Sequence, residues 1–212
     1  MPRFDLRLAA GAHLAAGVVH AGEIVRLARE PVGLREWTIN RLEALYELAY
    51  LRVFAAWETC QEDVFCRTLC GYVSTAGQEV LVAGAFHPNL AAAEAAMLGG
   101  QPFKLWHSPT AVIARCRQFI RSGPGAGPAR QEAVTAANVA RLNHLGAIRH
   151  RIVHDQPDAR RKFEAATLAY AARIWPGGRP GKFLRAWDGS VPQRRWLDVT
   201  IGELVNIAGQ LI

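Results

Sequence analysis

From Thr38 to Leu69 the chain contains neither proline nor glycine, and Leu42, Leu45, Leu48, Ala49, Phe54, Trp57, Phe65 and Leu69 trace a broad apolar stripe along it. That recurrence predicts one long helix with a wide buried face. A rod of this kind cannot bury its stripe alone, so further helices are needed beside it, and the expected fold class is all-α. Upstream, Leu6, Ala10, Leu14, Val18, Ala21 and Val25 recur every three to four residues, predicting a helix over 4–28 that Pro31 and Gly33 end. The short connection predicts that these two helices pack antiparallel.

Later signals divide the rest of the chain. Gly71, Gly77 and Gly84 mark 71–87 as a loop or small strand pair. Asn89 predicts a capped helix over 90–98 that Gly99 and Gly100 stop, and Ser108 before Pro109 predicts another reaching about Arg121. The Gly- and Pro-rich run 122–128 reads as a flexible connection. Helices are expected over 129–153, from an Asp158 cap to about Trp175, and over 199–212, with Pro176 to Gly181 interrupting. With 212 residues, half of them hydrophobic, the chain can bury one full core. A single domain over 1–212 is expected, its core about 38–212 with the 4–28 helix packed on it.

Charge points to a partner class. Residues 141–212 hold 12 basic and 6 acidic side chains, against 13 and 12 in 1–140, so the net +7 is concentrated in the last third. A basic surface of this sort attracts polyanions, RNA or DNA among them, although it also fits a merely solvated face. Cys60, Cys66, Cys70 and Cys116 form no C-x-x-C pair, and their spacing suits buried, reduced thiols better than a metal site. No apolar run reaches the roughly 18 to 20 residues a membrane span needs. Asp5, His13 and His20 interrupt the apolar N-terminal stretch, so a cytoplasmic protein without a membrane partner is expected.

One segment gathers chemistry. Arg149, His150, Arg151 and His154 lie together, with His144 one stretch upstream. Histidine exchanges protons near neutrality, and arginine presents a permanent planar cation to phosphate. Together they fit phosphodiester chemistry. In RNA the 2′-hydroxyl can itself attack, so a base, an acid and a cation for the phosphorane charge suffice without metal or cofactor. Arg149 and His154 differ by about 140° around an ideal helix, so sharing a face requires the helix to end or loosen between them. His150 and His154 share a face without distortion, as do Arg151 and His154. Two other readings stay open: a charged, solvated helix end, and a metal site on His150 and His154 with His144 or Asp155 as third ligand.

Arg149-x-x-x-x-His154 resembles the R-x-x-x-x-H motif of HEPN domains. The segment Leu45 to Phe65 looks like the long second helix of the HEPN group associated with RNA ligase and PSP-type proteins, and Phe103-Lys-Leu-Trp-His-Ser-Pro109 and the region Phe183 to Leu197 are also similar to it. The resemblance covers roughly 40–210. It implies a HEPN-type helical bundle with long antiparallel helices and a small irregular insertion, forming a homodimer in which two motifs face each other. Arg149 and His154 would be the catalytic pair of a metal-independent endoribonuclease that acts on RNA, with His150 and Arg151 supporting. That family commonly has Asn or Asp after the arginine, where this chain has His150. It is commonly found in toxin–antitoxin or phage-defence systems, so an antitoxin or regulatory protein is a further expected partner. It also contains non-catalytic members that bind a nucleotide or a partner enzyme, which is the competing expectation. Arg160, Arg161 and Lys162 are placed to follow an RNA backbone or to form an exposed face. Glu58 or Glu62 would orient Arg149 or a histidine if the long helix packs beside the motif, or simply face solvent. Trp57 reads as core.

Overall fold

The computed structural model describes residues 6–29, 38–73, 81–82, 85–121 and 128–212. Its α-helices are α1 (Leu6–Arg29), α2 (Ile39–Leu69), α3 (Leu90–Leu98), α4 (Pro109–Phe119), α5 (Arg130–Ala137), α6 (Val139–Val153), α7 (Pro157–Ala171), α8 (Pro180–Arg185) and α9 (Trp196–Leu211). The fold is all-α. Among the described residues, β structure is confined to short pairings such as β1 (Leu81–Val82) antiparallel to β2 (Ile120–Arg121). The strand expected within 71–87 therefore exists in part, but its partner lies after α4 rather than inside the same segment. Most of the 122–128 connection lies outside the described residues. No helix among the described residues is long and apolar enough to cross a membrane.

The chain divides into two compact units. The first comprises Met1–Leu14, Trp57–Leu142 and Asn206–Ile212; the second comprises Ala15–Ala56 and Asn143–Val205. In the first, Phe65, Cys66 and Leu69 of α2 form a core with Met97, Trp106, Val112, Cys116 and Ile120. Burial drives the thiols of Cys66 and Cys116 up to about 12 and that of Cys60 up to about 11, so all three stay protonated and apolar near neutrality. Asn89 accepts the Ala92 N–H at 2.9 Å and caps α3. Asn89→Ala is expected to destabilise the protein by about 1 kcal/mol, measured by urea denaturation, whereas an unchanged midpoint would mean the cap is not formed.

The core of the second unit is aromatic. Tyr46, Tyr50, Val53 and Phe54 of α2, Leu145 and Ile148 of α6, Phe163 of α7, Phe183 of α8 and Trp196 of α9 are all buried. Phe183 stacks on Trp196 at 5.3 Å and meets Phe163 and Trp175 edge-on. The one polar atom of Tyr50 is satisfied: its hydroxyl donates to Leu145 O at 2.8 Å, fixing α6 on α2.

Four boundaries differ from expectation. The helix predicted over 129–153 is broken at Asn138, whose side-chain amide N–H donates to Val134 O at 2.9 Å while the Asn138 backbone carbonyl accepts from Leu142 N–H. An asparagine that bonds its own backbone ends one helix and opens the next. α7 starts at Pro157, with Gln156 rather than Asp158 at its cap, because proline has no N–H to lose at a first helical position and its φ is already helical. It stops at Ala171, before Ala172 in the left-handed region, and α9 begins three residues early, at Trp196.

Candidate functional site at the end of α6

Leu145 and Ile148 face the core of the second unit, and this sets the direction of every later side chain on α6. The helix stays regular to its end: the His154 N–H still donates to His150 O at 2.9 Å. The loosening that would turn Arg149 and His154 to one side does not occur, so they remain about 140° apart around the axis. What α6 does bring together is His150 and His154, whose rings lie 4.6 Å apart.

Arg149 and Arg151 have opposite roles. Arg151 is engaged through two of its nitrogens: Nε donates to Gly178 O at 2.9 Å, Nη1 donates to His154 O at 3.1 Å, and the same Nη1 pairs with the Asp155 carboxylate. It closes the helix end by satisfying a terminal carbonyl and placing a cation at the negative end of the dipole. Arg151 thus holds the backbone at His154. Arg149, half-buried, makes no hydrogen bond or ion pair with any described residue. A guanidinium held on a helix with its donors uncommitted to any described residue is suited to an incoming oxyanion.

Burial pulls the His150 imidazole below its ordinary value of 6.5, and the nearby His154, Lys162 and Arg149 act in the same direction against Asp158. His150 is expected to titrate below 6.5 in an NMR pH series. Because the folded state takes up that proton less readily than the unfolded chain, its contribution to stability is complete above the ordinary value and is lost as pH falls below it. A His150 midpoint at or above 6.5 would contradict this environment.

The other sequence candidates are scattered or neutralised. Arg160 pairs with Glu164 at 2.9 Å, while Arg161 and Lys162 both reach Asp158, at 3.3 and 2.7 Å. Exposed pairs like these are weak and leave the cations exchangeable, but they reduce the net field of the run. His144 packs edge-on to Tyr170. Asp155 is committed to Arg151, and no three His, Cys, Asp or Glu side chains among the described residues assemble in a metal-holding group. Glu58 does meet a histidine, but it is His107, at 3.1 Å within the first unit. Trp57, 1% exposed, is core.

Sequence reasoning missed a cleft of about 380 Å³ beside the end of α6, where Glu43, Glu47 and Arg179 face Arg151 and Val153. The buried Glu43 carboxylate takes Arg179 at 2.6 Å and Arg185 at 3.5 Å, and Glu47 accepts the Gly181 N–H at 2.8 Å. Burial pushes the Glu47 carboxyl up. A glutamate pair at i, i+4 on the long helix was the available signal, but the same spacing describes a solvated face.

Comparison with protein-family models, curated proteins and solved structures returns no match. Any functional reading of the α6 end therefore rests on its own chemistry. A proton-exchanging imidazole pair, an uncommitted guanidinium and a second guanidinium holding the backbone can bind a phosphate and shuttle protons beside it.

Proposed function

We propose that this protein is a metal-independent endoribonuclease working through Arg149 and His154. The guanidinium of Arg149, uncommitted to any described residue and on the same helix end as an imidazole pair, is the observation that carries the reading. In the proposed reaction the RNA 2′-hydroxyl loses its proton to an imidazole and its oxygen attacks the adjacent phosphorus. The bond to the 5′-oxygen breaks, and that oxygen leaves with a proton. The products are a 2′,3′-cyclic phosphate and a 5′-hydroxyl, and Arg149 offsets the charge on the phosphorane oxygens. His150 tunes the pair, and Arg160, Arg161 and Lys162 supply weaker backbone contacts.

The 140° separation of Arg149 and His154 on a regular helix favours a composite site, in which a homodimer brings the arginine of one copy to the histidine of the other. The resemblance to HEPN domains supports the same arrangement, and with it a cytoplasmic toxin–antitoxin or phage-defence effector restrained by a regulatory protein. The same separation also favours a second reading, a non-catalytic nucleotide- or partner-binding module.

Digestion of a mixed RNA pool by the purified protein in excess chelator separates the two. Cleavage by the wild type, lost in His154→Ala and leaving cyclic phosphate ends, is the expected outcome. Absence of cutting on the pool, tRNA and ribosomes alike would sink the ribonuclease reading and leave the binding module.

A further inference from the structure

The first unit holds a buried cation that forms no ion pair with any described residue. Arg115, on α4, is 7% exposed. Its guanidinium lies 4.1 Å from the centre of the Trp106 ring, and Nη2 donates to Leu105 O at a long 3.4 Å. Nη1 is buried and donates to no protein atom. Among the described residues Glu62 acts on Arg115 from beyond ion-pair distance, and burial pushes its own carboxyl up. Charged groups withdrawn from water are ordinarily paired, and leaving one donor of a guanidinium without an acceptor is costly.

The same side chain lines a cavity of about 450 Å³ between α3 and α4. Met97, Leu98 and Phe119 make it partly apolar, while Lys104 adds a second cation whose ammonium contacts a neutral acceptor, the Gln101 amide oxygen at 2.6 Å. Among the described residues no aspartate or glutamate lines it. Two cations and no acid select an anion, and the apolar wall selects one with a hydrocarbon body. The planar guanidinium fork matches a carboxylate.

We propose that this cavity binds a small organic carboxylate, its head on Arg115 and Lys104 and its body against Met97, Leu98 and Phe119. The competing explanation is purely structural, with Arg115 retained only to stack on Trp106. The two differ in what the full-length protein binds and in how it responds to Arg115→Met, which keeps an apolar chain over the ring but removes the charge.

Calorimetric titration with octanoate and benzoate, beside octylamine and inorganic phosphate, tests the site. The expected result is one carboxylate per chain, no binding of octylamine, and at least tenfold weaker octanoate binding in both Arg115→Met and Lys104→Gln. Lys104 is only half-buried, so its variant decides the matter if Arg115→Met does not fold. The proposal is overturned if neither carboxylate binds at millimolar concentration, if the variants bind octanoate as tightly as the wild type, or if phosphate binds as well as octanoate.

Discussion

Replacing His154 by alanine is expected to slow the proposed RNA cleavage by about 10²- to 10⁴-fold, the span ordinarily lost with a general acid or base. Arg149→Ala should cost about 10²- to 10³-fold, because a preorganised cation facing developing phosphorane charge is worth that much in a water-poor site. Both variants should melt with the wild type, since neither residue is in the core and Arg149 makes no hydrogen bond or ion pair with a described residue. Arg151→Ala should behave differently. It removes the bonds to Gly178 O and His154 O, so a lower melting temperature should accompany any loss of rate. The proposed composite site has its own test: in a dimer, mixing Arg149→Ala with His154→Ala would assemble one intact pair from two chains. Recovery of activity on mixing is expected, whereas two inactive variants that stay inactive together would place both groups within one chain or outside the reaction.

Gly181→Ala is expected to destabilise the fold by about 2 to 3 kcal/mol, lowering the melting temperature by roughly 5–10 °C for a chain of this size. A Cβ at Gly181 would lie 2.5 Å from Glu43 O and 2.7 Å from Glu43 C, and backbone atoms of the long helix cannot turn aside as a flexible side chain can. The helix preference of alanine over glycine works the other way but amounts to less than about 1 kcal/mol. Gly202, inside α9, has nothing within 4 Å of its would-be Cβ, so Gly202→Ala should stabilise by about 0.5–1 kcal/mol. The same substitution at two helical glycines should therefore have opposite signs in thermal denaturation. Equal melting temperatures for Gly181→Ala and the wild type would mean that α8 does not approach α2 as described.

These contrasts show which parts of the molecule were readable from its residues. The stripe from Leu42 to Leu69 and the signals at Asn89 and Ser108-Pro109 are local: they depend on periodicity, a capping side chain and the fixed φ of proline, and α2, α3 and α4 follow them closely. Asn138 is equally local and was overlooked, because an asparagine inside an alanine-rich helical run reads as tolerated until its amide is seen to bond Val134 O. Residues 71–87 carry a weaker signal still. β1 depends on a partner about forty residues further along, and spacing does not reveal a distant pairing.

At the candidate site the division is sharper. The residues themselves determine that imidazoles and guanidiniums crowd the end of a helix, since composition and the proline at 157 are enough to place them there. Only the tertiary structure decides which are committed. Arg149 and Arg151 are two residues apart and chemically identical, yet Gly178, brought in by the turn after α7, engages Arg151, while no described residue engages Arg149. Glu43 and Glu47 look like a solvated pair until α8 lays its first turn across them, and Arg115 looks like an ordinary surface cation until Trp106 covers it. The period of a helix sets which way a side chain points, whereas its partners come from segments distant in sequence, so pairing, burial and the charge left over are properties of the packed chain.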